Sequence, residues 1–106
     1  MLYHLRSAFV LLTLLGTIFA QSSIQGSVTD TNGDPLAGAN VVIAGTSVGA
    51  ATDADGIYEI DIPEGTLQGQ SVSLEVSYIG YQSQSVNVDV PQSGSVTQNF
   101  SMNIDA

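Results

Sequence analysis

The sequence predicts an all-β fold: a seven-stranded antiparallel β-sandwich over residues 21–106, following a cleaved export leader over residues 1–20. Three observations carry this reading. From Ile24 onward apolar and polar residues alternate with a period of two, as in strands that have one wet face. Turn-forming residues interrupt the alternation every eight to twelve residues, the spacing of a small sandwich. No window carries an apolar stripe at helical spacing, and the abundant Gly, Ser, Thr and Val are poor helix formers.

The leader reads MLYHLRSAFVLLTLLGTIFA. A short segment with Arg6 precedes an apolar run from Ala8 to Phe19, and Ala20 offers a small residue for cleavage, which is the layout of a secretory signal peptide. The run is shorter than the ~20 apolar residues of a membrane span, and Thr13 and Thr17 interrupt it. There is no cysteine to carry a lipid at the start of the mature chain. The expected location is therefore the periplasm, the outer membrane or the medium.

The first strand runs over Ile24–Thr29 and ends in Asp30-Thr31-Asn32-Gly33-Asp34-Pro35. There Asn-Gly favours a left-handed turn, and Pro35 bars ladder pairing. A second strand follows over Ala39–Ala44. A third, Val48–Thr52, lies between Gly45-Thr46 and Asp53-Ala54-Asp55-Gly56. In the fourth, Tyr58, Ile60 and Ile62 oppose Glu59 and Asp61, and Pro63-Glu64-Gly65 closes it. The fifth places Val72, Leu74, Val76 and Tyr78 on one face and Ser71, Ser73, Glu75 and Ser77 on the other. After Ile79-Gly80, the sixth alternates Val86, Val88 and Val90 with Ser85, Asn87 and Asp89. The seventh follows Pro91-Gln92-Ser93-Gly94, with Val96, Phe100, Met102 and Ile104 at the inward parity and Gln98 the polar exception.

Charge and composition exclude several classes of function. Loss of the leader, and Arg6 with it, leaves 86 residues and moves the formal charge from −9 to −10. The mature chain then has no Lys, Arg, His or Cys. Nucleic-acid binding by phosphate neutralisation needs cationic side chains and is excluded. Histidine-based catalysis, Schiff-base chemistry and His- or Cys-ligated zinc are excluded with it. The carboxylates have no cationic side chain to pair with, so they are solvated, bonded to backbone or hydroxyl donors, or neutralised by metal ions.

One set of residues is more specific than strand alternation. It comprises Gly26-Ser27-Val28-Thr29-Asp30, then Asn32-Gly33-Asp34-Pro35-Leu36-Ala37-Gly38-Ala39-Asn40-Val41, then Thr52-Asp53-Ala54-Asp55-Gly56-Ile57-Tyr58, and Ser77-Tyr78-Ile79-Gly80-Tyr81. In this order it resembles the carboxypeptidase-regulatory-like domain, a transthyretin-like sandwich grouped with carbohydrate-binding-like folds. The tyrosine-containing variant behind an export leader looks most like the copy at the N-terminus of TonB-dependent outer-membrane receptors of Bacteroidetes-type bacteria. That resemblance implies a non-catalytic periplasmic module, acting in interaction or spacing for nutrient uptake. Its partners would be the remainder of a receptor chain, plug and barrel, or other envelope proteins, and the chain would then be a fragment. The alternative is a free-standing secreted binding module for a ligand such as carbohydrate. By parity, however, only Tyr81 among Tyr58, Tyr78, Tyr81 and Phe100 points outward. The zinc motif of the metallocarboxypeptidases that give the family its name has no counterpart, since the mature chain lacks histidine.

The same residues have direct structural roles. Gly33 and Gly56 suit positive-φ turns, and Asp30 and Asp53 can accept turn amides. Pro35 sets the entry to the second strand, Gly38 permits close approach there, and Tyr78 and Tyr81 straddle Gly80 at a corner. No cofactor is expected. Asp53 and Asp55 are the one candidate pair for weak calcium binding, with Glu64 at the twelfth position of a calcium-loop count from Asp53. The residues between alternate as a strand, which cannot wrap ligands around one ion. Glu59 and Asp61 share an outward face without the burial a general acid needs.

Overall fold

The computed structural model describes residues 21–105; the leader expected over residues 1–20 lies outside them. The strands, in chain order, are β1 (Ser22–Asp30), β2 (Asn40–Ile43), β3 (Gly49–Ala51), β4 (Ile57–Ile62), β5 (Ser71–Ser77), β6 (Gln84–Asp89), β7 (Gly94–Thr97) and β8 (Phe100–Met102). They form two four-stranded sheets. One holds β4, β1 and β7 side by side, with β8 also on β1; the other has the order β3-β2-β5-β6.

Alternation becomes layering because each strand turns one residue parity toward the opposite sheet. Ile24, Val28, Tyr58 and Ile60 from the first sheet meet Val41, Ile43, Leu74 and Val76 from the second in a single buried cluster. Ser71, Glu75 and Ser77 stay exposed on β5, as do Glu59 and Asp61 on β4.

The end of the chain departs from the expected pattern in two ways. The seventh predicted strand is two strands, broken at Gln98-Asn99, which brings the described strands to eight. It also lies parallel to β1, not antiparallel: residues 22–25 pair with 94–97, and 28–30 with 100–102. The remaining pairs, β1–β4, β2–β3, β2–β5 and β5–β6, are antiparallel. Period-two alternation is the same for both directions of pairing, so the residue pattern could not distinguish them.

Gly26 explains the break. It stands at the inward parity between Ile24 and Val28 and pairs across the ladder with Tyr58. A Cβ there would fall on the Gln98 carbonyl, which folds into the space a side chain would occupy. The Tyr58 hydroxyl donates to that same carbonyl. Next to it Asn99 Oδ1 accepts the Ser27 N–H at 2.9 Å, in place of a backbone acceptor. Ile104, expected inward by parity, is 68% exposed, because it lies past the end of β8 in an isolated bridge with Tyr81.

Substitution of Gly26 by Ala is expected to cost about 2–3 kcal/mol, because its methyl group meets backbone rather than a side chain that could turn aside. Urea unfolding of the variant beside the parent measures this, and a loss below about 0.5 kcal/mol would show that the Gln98 carbonyl can move freely.

Candidate functional site

The motif residues gather at the end of the sandwich where β1 finishes, and they build the same loop twice. In Asp30–Asp34, Asp30 Oδ1 accepts the N–H groups of Asn32 at 2.8 Å and Asp34 at 3.0 Å. The Asp30 carbonyl accepts the Gly33 N–H at 3.1 Å, and the Asp30 N–H donates to the Asp34 carbonyl at 2.9 Å. In Asp53–Ile57, Asp53 Oδ1 accepts the N–H groups of Asp55 at 2.9 Å and Ile57 at 3.0 Å. The Gly56 and Asp53 backbone bonds, both 2.9 Å, complete the repeat. Gly33 and Gly56 take the expected left-handed conformation at equivalent places, with φ of 87° and 74°.

The two loops are clamped together through β1. Val28 donates its N–H to the Gly56 carbonyl at 2.8 Å and accepts the Leu36 N–H at 3.0 Å. A Cβ on Gly56 would come within 2.9 Å of the Pro35 Cβ, so Gly56 meets both a conformational and a steric demand. Thr52, the first residue of the third motif stretch but given no role of its own from the sequence, is buried here; its hydroxyl donates to the Leu36 carbonyl and accepts the Ala39 N–H at 2.9 Å. Its signal was its position directly before Asp53, where a small side chain with both donor and acceptor can join two loops. Gly38 serves differently from expectation. Its φ is 85° and nothing crowds the place of its missing side chain, so conformation and not close approach calls for glycine.

A tyrosine corner adjoins these loops. The Tyr81 N–H donates to the Tyr78 carbonyl at 3.0 Å, and Gly80 has φ of 87°, the requirement of a type II turn at its third position. Ile79 is the tip and is 94% exposed. The two rings have centroids 5.6 Å apart at 54°, and both pack against the core. The outward orientation expected for Tyr81 is thus corrected: the turn resets the strand parity, and the bridge to Ile104 returns the ring to the protein. The buried Tyr58 ring lies 6.4 Å from Phe100. Burial pushes its phenol up to about 12.

The carboxylates stay at the surface or half-buried, and none is enclosed. Asp53 has one oxygen committed to two amides, while Asp55 is exposed beside it. Glu64 follows the far end of β4, so the twelve-residue count from Asp53 does not return to the loop. Among the described residues no three His, Cys, Asp or Glu side chains come together as a metal site. A cleft of about 530 Å³ at the loop end is lined by Asn40, Ser77, Tyr78 and Ile79. A second, of about 580 Å³, crosses the outer face of the first sheet past Gln25, Ser27, Glu59, Thr97 and Asn99. These walls offer amides, hydroxyls and carboxylates for hydrogen bonding.

Two measurements test this geometry. Replacing Asp53 by Ala removes two side-chain hydrogen bonds and is expected to cost about 1–2 kcal/mol, whereas Asp55→Ala stays within about 0.5 kcal/mol. Equal losses in chemical denaturation would mean that Asp53 does not organise the loop. For Tyr58, the folded value lies above the ordinary 10.0, so its contribution is complete below pH 10 and declines as pH rises toward about 12. Tyr58→Phe is expected to remove that part of the alkaline loss in a pH series of melts; an unchanged series would reject the assignment.

The CarboxypepD_reg-like domain family model matches residues 24–106. Among curated proteins, the TonB-dependent receptor SusC of Bacteroides thetaiotaomicron is 40% identical over 86 residues, covering 74% of this chain and 8% of the receptor. The TonB-dependent receptor P39 of Formosa agariphila is 36% identical over 86 residues, covering 76% of this chain and 8% of the receptor. The chain therefore spans under a tenth of the length of these relatives. In a type II cohesin–X-dockerin complex from Acetivibrio cellulolyticus, one chain superposes with a TM-score of 0.59 at 22% identity. The match covers 76% of this chain and 56% of that one, and shows the sandwich fold alone. On the match over residues 24–106, the chain belongs to the CarboxypepD_reg-like domain family.

Proposed function

We propose that this domain is the periplasmic, non-catalytic N-terminal module of a TonB-dependent outer-membrane receptor, serving interaction or spacing during nutrient uptake. The observation that carries the reading is the 40% identity to SusC over a stretch that makes up only 8% of that receptor. The chemistry is compatible with it. Residues 21–106 contain no Lys, Arg, His or Cys, and the aspartates of the motif hold backbone amides. A sugar-binding role has less support: Tyr58 and Phe100 are buried, and Tyr78 and Tyr81 are half-buried against the core, so the described residues present no exposed aromatic platform.

An epitope inserted in the exposed Thr46–Ser47 turn follows the domain in the cell. It is expected in the outer-membrane fraction, on a polypeptide several times longer than 106 residues. In-frame removal of residues 21–106 should leave that polypeptide in the membrane while lowering TonB-dependent uptake. Recovery of the epitope on a free soluble domain would reject the receptor reading in favour of a secreted module.

A further inference from the structure

We propose that Gln21 is a modification site: once the leader is removed after Ala20, its α-amino group closes on its own side-chain amide to give pyroglutamate, a five-membered lactam. The blocked end shields β1 from aminopeptidases. The proposal rests on the leader reading and goes beyond the receptor reading, on which it does not depend.

The reaction lies within one residue. The neutral α-amine attacks the side-chain carbon Cδ; the N–Cδ bond forms and the Cδ–Nε2 bond breaks. Ammonia leaves and takes up the proton that the α-ammonium gave up, so atoms and charge balance without oxidant, reductant or second substrate. Nucleophile and carbonyl are held on one short chain, so no encounter of separate molecules is needed. Asparagine would have to close a four-membered ring, which makes glutamine the deciding residue.

The structure leaves this residue open to the chemistry. Gln21 is exposed and lies just outside β1. Its backbone carbonyl, which takes no part in ring closure, accepts the Gly94 N–H at 2.7 Å and keeps the end on the sandwich. Asp61 and Glu64 line one surface cleft with Gln21, and Glu59 lines a second, so carboxylates stand at hand to relay the proton. Ring closure also removes the only cationic group that residues 21–106 would carry, since they include no Lys, Arg or His.

With the leader gone, no spare tail precedes the sheet. Ser22 already pairs with Ile62 on β4 and with Gly94 on β7. It is 4% exposed, and its hydroxyl accepts the Gln68 side-chain N–H at 2.9 Å. Chain ends are where proteolysis concentrates. Loss of residue 21 removes the Gly94 contact, and loss of the next residue removes the first pairs of the strand that joins β4 to β7. An aminopeptidase needs a free α-amine, and the lactam has none.

The full chain, expressed with its leader and recovered from the cell envelope, is tested by the mass of its N-terminal peptide. That peptide is expected to begin at residue 21 with the mass of one ammonia missing, and stepwise N-terminal degradation should release nothing. Pyroglutamyl peptidase, applied to the unfolded protein, should restore degradation with Ser22 first. Gln21→Asn should keep its full mass and release asparagine first, and an aminopeptidase should remove that residue while leaving the parent whole. A parent that begins with unmodified Gln21, or that the aminopeptidase trims, would overturn the lactam. A parent that begins at Met1 or at any other residue would overturn it through the leader boundary, and the receptor assignment stands in either case.

Discussion

The rest of the structure depends on the docking of β1 between β4 on one side and β7 with β8 on the other. This strand joins the middle of the chain to its end, and the fit depends on Gly26 having no side chain. Through the Gln98 carbonyl, which fills that space and accepts the Tyr58 hydroxyl, three separate stretches of sequence meet at one point. A larger residue would separate β7 and β8 from β1 and leave the inner face of Phe100 and Met102 without its neighbours.

The absence of cations from residues 21–106 shapes how the polar parts are held. In most small domains some loops are tied by ion pairs, but here no side-chain pair of opposite charge is possible in residues 21–106. Asp30 and Asp53 instead accept two backbone amides each, and Thr52 and Asn99 satisfy further backbone groups. No buried side-chain nitrogen or oxygen among the described residues lacks a partner. Such short-range bonds are insensitive to salt compared with separated charges, while the surface as a whole keeps a strong negative field.

The domain's entrance and exit lie at opposite ends, its strands are short, and its exposed groups form hydrogen bonds. The relatives that share its sequence are receptors more than ten times the length of the matched segment.

Much was legible in the residues themselves. The inward sets on β4 and β5, the left-handed glycines at 33 and 56, and the amide-binding role of Asp30 and Asp53 are local matters. Each is decided by side-chain parity or by a turn a few residues long, which is why sequence sufficed. The parallel pairing of β1 with β7 and β8, the break at Gln98-Asn99, the inward Tyr81 and the bridging role of Thr52 were decided only by tertiary structure. Each depends on residues far apart in the chain, such as Gly26 with Gln98 or Tyr81 with Ile104. Alternation specifies which face of a strand is buried, but it is blind to which strand lies alongside and in which direction it runs.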